Sequence, residues 1–326
     1  MKILITGATG FIGQRLVQRL TANGHEVVGS ARSFSGENFP HYTFIAADLS
    51  KSSQCDQFTQ NIDVIIHCAG KAGVWGSLAE YTQANVVATK NILASAQKNK
   101  VRRFINISSP SIYFAFKDQF DLKETDRPKK FSNAYALTKF QAEQLVQAAH
   151  TPDFLTVSLR PRGVIGAGDK NWLPRIIEMQ KNGSLVQPGL GENLADFTCV
   201  ENLMDAIELC LTTEEKNMGE VYNITNGMPE KLWTVIEESL KAVGLSSQHK
   251  KVFFSVAMTV AKISEVIHQL KKTQQEPALL PVKVGVAAYS MTLDISKAKT
   301  KLGYKPKQST ADGLREFAAW YVKQKM

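Results

Sequence analysis

Three glycines directly after the first apolar segment restrict the fold of this chain more than any other feature. The chain opens with MKILITGATGFIGQRLVQRL, in which residues 3–5 predict a buried strand and residues 11–20 repeat apolar side chains at helical spacing. Gly7, Gly10 and Gly13 lie at the turn between them. Such glycines allow a sharp turn, a close approach of backbone to a phosphate, and tight helix–strand packing. The free N–H groups at the helix start then face an anion, so the G-x-x-G-x-x-G spacing predicts a nucleotide-binding loop.

Short apolar runs alternate with helical segments along the first half of the chain. The further strand-like runs are residues 26–29, 43–46, 63–67, 104–107 and 155–159. This alternation predicts βαβ units, and therefore a parallel sheet with helices on both faces. We predict an α/β fold with a doubly wound parallel sheet of the Rossmann type. Ligands of such a sheet bind at the carboxyl ends of its strands.

Beyond residue 165 the alternation becomes less regular, and helical segments at 200–211 and 232–243 lie between short strands. We predict that residues 1–165 form a dinucleotide-binding domain. Residues 166–326 are expected to form mainly a smaller substrate-binding region that is partly interleaved with the first.

The segment VFFSVAMTVAKISEVIHQL at 252–270 is unusually apolar for a late part of the chain. Its Lys262, Glu265 and His268 make it a poor membrane-spanning helix. We interpret it as a packed or lid helix that supplies an apolar wall, with contact to a membrane surface as the alternative.

Composition narrows the class of protein. The chain has 326 residues, of which 44% are hydrophobic and 21% are charged, and these values are typical of a globular protein. Its net charge of +9 is spread over short clusters, so we expect a solvated basic surface and no nucleic-acid partner. No charged leader precedes the first strand, so we expect no signal peptide. The cysteines lack the close pairs of a metal site, which is typical of reduced cytoplasmic thiols; they are Cys55, Cys68, Cys199 and Cys210.

The residues after the second and third strands indicate the cofactor. An acidic residue about 20 positions past the glycines binds the ribose of NAD, whereas an arginine accommodates the extra phosphate of NADP. Here Ala31 takes the acidic position and Arg32 follows it, so we predict NADPH, with NAD less favoured. Asp48 and Leu49 are expected to reach the adenine. The other cofactor contacts that we predict around the strand ends are Gly7, Thr9, Gly10, Phe11, Ile12, Gly13, Cys68, Ala69 and Gly70.

The segment YALTK carries the most specific chemical signal. Tyr135 and Lys139 are four residues apart and so project from the same face of a helix. A nearby ammonium lowers the pKa of a phenol, which would make Tyr135 a proton donor or acceptor near neutral pH; Lys139 can also bind the nicotinamide ribose. Ser108 and Ser109 end the 104–107 strand, where a hydroxyl can hydrogen-bond a substrate carbonyl.

Five segments together resemble the extended short-chain dehydrogenase/reductase family. They are the glycine loop at 7–13, HCAG at 67–70, ISSPS at 107–111, YALTK at 135–139 and LRPRGVIGAGD at 159–169. The resemblance implies that Ser109, Tyr135 and Lys139 form the catalytic group. It also implies that Pro161 and Val164 lie beside the nicotinamide.

Four further segments resemble the 3β-hydroxysteroid dehydrogenase branch of that family, and within it the 2-alkyl-3-oxoalkanoate reductases of bacterial olefin biosynthesis. They are KAGVWGS at 71–77, YTQANVVATKNIL at 81–93, NLADFTCVEN at 193–202 and DISKAKTKLGYKP at 294–306. This resemblance implies an NADPH-dependent reduction of a ketone to a secondary alcohol. The implied substrate is a 2-alkyl-3-oxo acid or a sterol-like apolar molecule, and a homodimer is expected by analogy.

Two other functions fit the same fold. A nucleotide-sugar epimerase or dehydratase shares the catalytic group but would hold NAD tightly and need a polar pocket. A cofactor-sensing regulator would not need the complete group. Among individual side chains, Lys71 and Arg162 are candidates to pair with a substrate carboxylate, and Trp75 is a candidate pocket wall or loop anchor. We interpret His67 as structural.

Overall fold

A seven-stranded parallel sheet lies at the centre of the computed structural model, which describes residues 1–34, 36–271, 273 and 275–324. The strands are β1 (Lys2–Thr6), β2 (Glu26–Ala31), β3 (Tyr42–Ala46), β4 (Val64–His67), β5 (Arg103–Ile107), β6 (Gln119–Leu122), β7 (Leu155–Pro161), β8 (Val164–Ile165), β9 (Val186–Pro188), β10 (Leu194–Ala195), β11 (Thr198–Cys199), β12 (Val221–Ile224), β13 (Glu230–Lys231), β14 (Lys250–Val252) and β15 (Met291–Leu293).

The helices follow the same chain order. They are α1 (Phe11–Ala22), α2 (Ser52–Cys55), α3 (Leu78–Tyr81), α4 (Ala88–Lys98), α5 (Ala134–Ala148), α6 (Trp172–Lys181), α7 (Val200–Thr212), α8 (Leu232–Ala242), α9 (Phe254–Leu270), α10 (Pro281–Ala288) and α11 (Thr310–Lys323). A π-helical turn at Thr82–Val87 joins α3 to α4, and another lies at Ala298–Leu302.

The central sheet has the order β12-β7-β5-β4-β1-β2-β3. The chain therefore runs outward from β1 to β3 and then returns to β4 on the other side of β1, which leaves a crevice at the carboxyl ends of β1 and β4. Helices α1 and α7 cover one face of the sheet, and α4 and α5 cover the other. All strands of this sheet except the edge strand β3 are largely buried, which explains their nearly continuous apolar runs. The predicted doubly wound α/β fold is confirmed.

Two strands pair with strands from the other side of the predicted division at residue 165. β12 comes after residue 165 but pairs with β7 in the central sheet. β6 comes before residue 165 but pairs with β15 in a four-stranded sheet of order β13-β10-β15-β6. The later half also has its own apolar core between α6, α8 and α11. The division at residue 165 stays a prediction.

Helix α9 is packed on one face only. Its buried residues Ala257 and Ala261 contact Val284 of α10. The opposite side exposes large apolar side chains, namely Val256, Val260, Ile263, Val266, Ile267 and Leu270. No helix among the described residues is both long enough and apolar enough to span a bilayer.

A buried ion pair joins α5 to the central sheet. The Arg160 side chain, on β7, donates from Nε and Nη2 to the two carboxylate oxygens of Glu143 on α5, at 2.9 and 2.5 Å. Both side chains are at most 3% exposed. The hydroxyl of Ser108, directly after β5, donates to the same carboxylate at 2.7 Å. One carboxylate therefore connects α5, β5 and β7.

We predict that Glu143→Gln lowers the free energy of unfolding by about 3 kcal/mol, because the Arg160 cation is left buried without its counter-charge. Urea denaturation measures the change. The exposed Glu238→Gln on α8 is the matched control and should change stability by less than about 0.5 kcal/mol. Equal small changes in the two variants would show that the ion pair does not hold α5 in place.

Candidate active site

The glycine loop forms a cradle of backbone at the start of α1. Gly7 adopts a φ of +69°, and a Cβ there would lie 2.8 Å from the backbone nitrogen of Ala69. A Cβ at Gly13 would overlap the carbonyl oxygen of Gly7. Gly10 precedes α1, is exposed, and provides no side-chain cap. The first N–H groups of α1 thus open onto a surface without side chains, which fits a pyrophosphate.

The ends of β2 and β3 lie next to this loop. Arg32 follows β2 directly and is exposed. The Asp48 carboxylate accepts hydrogen bonds from the backbone and the hydroxyl of Ser50, at 3.0 and 2.8 Å. These bonds lower the pKa of Asp48, and the positive charge of Arg32 contributes to the shift. Leu49 is buried. Arg32 thus presents an exposed cation at the end of β2, the strand that bonds the glycine loop.

The segment after β4 passes close to the glycine loop. Cys68 and Ala69 donate their backbone N–H groups to the carbonyl oxygen and the hydroxyl of Thr6, at 3.1 and 3.3 Å. A Cβ at Gly70 would lie 2.9 Å from Oδ1 of Asn85. Only small residues fit this backbone path.

The residues of the predicted catalytic group come from two neighbouring elements. Ser109 follows β5, and its hydroxyl donates to Ser111 at 3.0 Å. Tyr135 lies in the first turn of α5, which Asn133 caps by accepting the N–H of Ala136 at 2.8 Å. One turn later, the ammonium of Lys139 donates to the carbonyl oxygen of Ile107 at 2.6 Å, at the end of β5. Helix α5 therefore presents both side chains to the edge of the sheet.

A cavity of about 270 Å³ lies at this edge. Its walls are mostly apolar, with hydroxyls and one cation among them. The lining residues are Gly73, Val74, Ser109, Pro110, Ser111, Phe114, Ser132, Asn133, Tyr135, Pro161, Arg162, Gly163, Val282, Val286 and Met291. The cavity brings Ser109 and Tyr135 together with Pro161. Val164 is half-buried and pairs with Thr198 in a separate two-stranded sheet.

A sequence model of the NAD dependent epimerase/dehydratase family matches residues 3–225, more than half of the chain. The chain belongs to this family. The resemblance to extended short-chain dehydrogenases/reductases is confirmed, and the family member is an NAD(P)-dependent enzyme of the dehydrogenase/reductase class.

Relatives match this family member over almost its full length. It is 31% identical to 2-alkyl-3-oxoalkanoate reductase from Stenotrophomonas maltophilia, over 98% of this chain and 99% of that protein. It is 32% identical to the decarboxylating sterol-4-alpha-carboxylate 3-dehydrogenase of Candida albicans, over 98% and 97%. The structure of UDP-glucuronic acid 4-epimerase from Bacillus cereus in complex with NAD superposes with a TM-score of 0.78, at 26% identity and 99% coverage of both chains.

The expected effect of Lys139 on Tyr135 is wrong for this family member. The pKa of Tyr135 is raised, because burial disfavours the phenolate more than the hydrogen bond with Ser109 favours it. The Lys139 ammonium instead bonds the Ile107 carbonyl, and burial lowers its own pKa to about 8. Tyr135 is therefore a neutral phenol at physiological pH. The catalytic roles of Ser109, Tyr135 and Lys139 stay predictions.

Asn85 is a site residue that the sequence reasoning missed. It lies in the π-helical turn, and its Oδ1 accepts the backbone N–H of Lys71 at 2.7 Å. Its Nδ2 donates to Thr138 of α5 at 3.1 Å. Asn85 therefore connects the loop after β4 to the helix that carries Tyr135. Asn85 lies in the segment YTQANVVATKNIL, which the sequence analysis named as a family resemblance. Nothing in the spacing showed that its side-chain amide bonds both the loop after β4 and helix α5.

The structure also shows the contacts of the other side chains that the sequence analysis named. The Lys71 ammonium pairs with Glu80 and lies 5.2 Å from the centre of the Tyr81 ring. The Trp75 indole donates to the carbonyl of Thr273 at 3.1 Å, which makes it a loop anchor. His67 is structural as predicted, buried with Thr6 and Thr89 on its two ring nitrogens. Among the residues that the structure describes, no three His, Cys, Asp or Glu side chains form a group able to hold a metal ion.

The apolar wall of the cavity does not come from α9, contrary to the expectation for the 252–270 segment. Val282 and Val286 of α10 line the cavity, and α9 packs behind them. Apolar side chains of α9 face solvent instead, because α10 lies between α9 and the catalytic edge.

We predict that stability rises with pH more steeply in the wild type than in Lys139→Met, in the absence of cofactor. Between pH 8 and 10.5 the folded protein holds Lys139 neutral while the unfolded chain still protonates it, so unfolding takes up a proton. Across this window the stability difference should shift in favour of the wild type by about 1 kcal/mol or more, since one pKa unit corresponds to about 1.4 kcal/mol.

Urea denaturation at pH 7, 8, 9 and 10 measures this difference. Lys129→Met, at an exposed position, is the matched control and should differ from the wild type by the same amount at every pH. A Lys139→Met difference that is equally flat would contradict the buried position of the ammonium.

Proposed function

We propose that this protein reduces a ketone to a secondary alcohol with NADPH, and that the ketone is a 2-alkyl-3-oxo acid or a similarly apolar, sterol-like molecule. The observation that carries the proposal is one small cavity in which the hydroxyls of Ser109 and Tyr135 face mostly apolar walls at the carboxyl edge of the sheet. A polar carbonyl with an apolar branch fits this arrangement better than a sugar does.

The nicotinamide, when bound, supplies the hydride. In our mechanism the Tyr135 phenol donates its proton to the substrate oxygen, and the Ser109 hydroxyl donates a hydrogen bond to that oxygen. Lys139 keeps a positive charge near this point and binds the nicotinamide ribose. Asn85 acts as a positioning residue, because it fixes α5 against the loop after β4.

The raised pKa of Tyr135 suits the direction of reduction. A ketone needs a protonated donor, and burial keeps the phenol protonated at neutral pH.

The relatives support the substrate class. The names 2-alkyl-3-oxoalkanoate reductase and sterol-4-alpha-carboxylate 3-dehydrogenase both describe an oxygen function on an apolar skeleton that also carries a carboxylate. The epimerase similar in structure acts on UDP-glucuronic acid, so nucleotide-sugar epimerisation is the rival that a substrate panel must separate.

The preference for NADPH rests on Arg32. Its exposed guanidinium follows β2 beside the glycine cradle, where the 2′-phosphate of NADP would accept a charge-assisted hydrogen bond. The cytoplasmic location, the homodimer and the membrane-surface contact of α9 stay predictions.

Tyr135→Phe should lower kcat for ketone reduction at least about 100-fold, because the proton donor is lost. Binding of NADPH, followed by quenching of protein fluorescence, should stay unchanged. Tyr321→Phe on α11 is the matched control and should keep wild-type turnover. The wild type should oxidise NADPH with a 2-alkyl-3-oxo acid and not with UDP-glucuronate. Turnover retained in Tyr135→Phe would contradict the mechanism, and turnover of the nucleotide sugar alone would contradict the proposed function.

Arg32→Ala should weaken NADPH binding roughly 10- to 100-fold through the loss of hydrogen bonds to a charged group. NADH binding should change less than about threefold, since NADH lacks the 2′-phosphate. Titration of both cofactors measures the two constants, with the exposed Arg315→Ala as the control. Equal weakening of both cofactors would show that Arg32 does not select NADPH.

A further inference from the structure

Arg162 is the cation in the catalytic cavity, and its backbone is firmly held. It follows the last residue of β7, and its N–H donates to the carbonyl of Ile224 and the hydroxyl of Thr198, at 3.3 and 3.2 Å. The Thr198 hydroxyl donates in turn to the Arg162 carbonyl at 2.7 Å. The side chain therefore extends from a fixed point into the cavity that Ser109 and Tyr135 also line.

The Arg162 side chain has a buried donor without an acceptor among the described residues. Its Nε is buried and has no hydrogen-bond partner, and within the described part of the chain the side chain forms no ion pair. Burial lowers the pKa of Arg162 to about 10, so the group stays cationic at neutral pH. A buried donor without a partner is costly, and such groups in native proteins call for an explanation.

Asp196 attracts Arg162 electrostatically but, among the described residues, forms no ion pair with it. Its Oδ2 accepts the backbone N–H of Leu293 at 2.7 Å, and its Oδ1 is buried without a hydrogen-bond partner. Burial raises the pKa of Asp196 to about 6, so the carboxylate is still mostly ionised at neutral pH. The planar donor fork of Arg162 is thus available to an anion from the cavity side.

We propose that Arg162 binds the carboxylate of the substrate and so selects 3-oxo acids over neutral ketones. The cavity of about 270 Å³ places this cation and the hydroxyls of Ser109 and Tyr135 around one small space. A carboxylate bound by Arg162 must therefore lie close to the reacting carbonyl, as in a 3-oxo acid. The apolar residues Val282, Val286 and Met291 face the alkyl branch.

This inference rests on the proposed function for its carbonyl, whereas the carboxylate contact can be tested without turnover. The wild type should reduce a freshly prepared 2-alkyl-3-oxo acid with a kcat/KM roughly 10- to 100-fold higher than that for its methyl ester. This ratio corresponds to the free energy that a hydrogen bond to a charged group contributes. Arg162→Met should lose this preference, mainly through a higher KM for the acid. Arg162→Lys should keep part of it, because the charge remains but the fork is lost.

Lys71→Met is the matched control, since the Lys71 ammonium is already paired with Glu80. Its acid-to-ester ratio should equal that of the wild type. Arg162→Met should also be at least as stable as the wild type to heat, because it removes an uncompensated buried charge. A lower melting temperature together with equal losses on acid and ester would assign Arg162 a structural role and overturn the proposal.

Calorimetry with a 2-alkyl carboxylic acid that has no ketone, and with its amide, separates the two proposals. Tighter binding of the acid by the wild type, lost in Arg162→Met, supports the carboxylate site even if no ketone is reduced.

Binding of UDP-glucuronate and of UDP-glucose, measured in the same way, tests the rival function. If Arg162→Met changes only the discrimination between these two nucleotides, the carboxylate site stands but belongs to a sugar acid, and the proposed function fails. Equal binding of acid and amide by the wild type overturns the inference.

Discussion

The catalytic edge of this protein depends on the buried pair of Glu143 and Arg160. Both side chains lie in the interior, where an unpaired charge would cost several kcal/mol. Because the pair joins α5 to β7, and because Ser108 adds the end of β5, three elements are held in one arrangement. Helix α5 carries Tyr135 and Lys139, Ser109 follows β5, and Arg162 follows β7. A second layer supports the first, since the Arg160 guanidinium also donates to Tyr113, whose hydroxyl donates to Asn223 of β12 at 2.8 Å.

Three ionisable side chains at or beside the cavity have a perturbed pKa or a buried donor without a partner. Burial lowers the pKa of Lys139 and raises that of Tyr135, and Nε of Arg162 is buried without a hydrogen-bond partner. The unpartnered donor of Arg162 disfavours the free protein, whereas burial only keeps the Tyr135 phenol neutral. Perturbed titratable groups that share one cavity are typical of functional sites.

The sequence predicts the fold more completely than it predicts the contacts within the site. Periodicity and the glycine loop located the crevice and six of the seven strands of the central sheet, because buried strands leave a continuous apolar run in the sequence. The seventh strand, β12, was not located. The segments around Ser109 and Tyr135 indicated which loops meet at that crevice. The Asn85 bridge and the Glu143–Arg160 pair could not be predicted, since their partners lie on separate crossovers. The pKa of Tyr135 was predicted in the wrong direction, because burial is a property of the folded environment and not of i, i+4 spacing.

The contrast between Lys71 and Arg162 shows what the structure adds to such a sequence. Both were candidates for a substrate carboxylate, and charge and position relative to a strand end did not separate them. In the folded protein Lys71 forms an ion pair with Glu80 of α3 at the surface. The fold places Arg162 at a cavity instead and, among the described residues, without an ion pair, although Asp196 acts on it electrostatically. A cation is free to bind a ligand when no carboxylate of the protein is paired with it. Among the described residues this holds for Arg162 and not for Lys71.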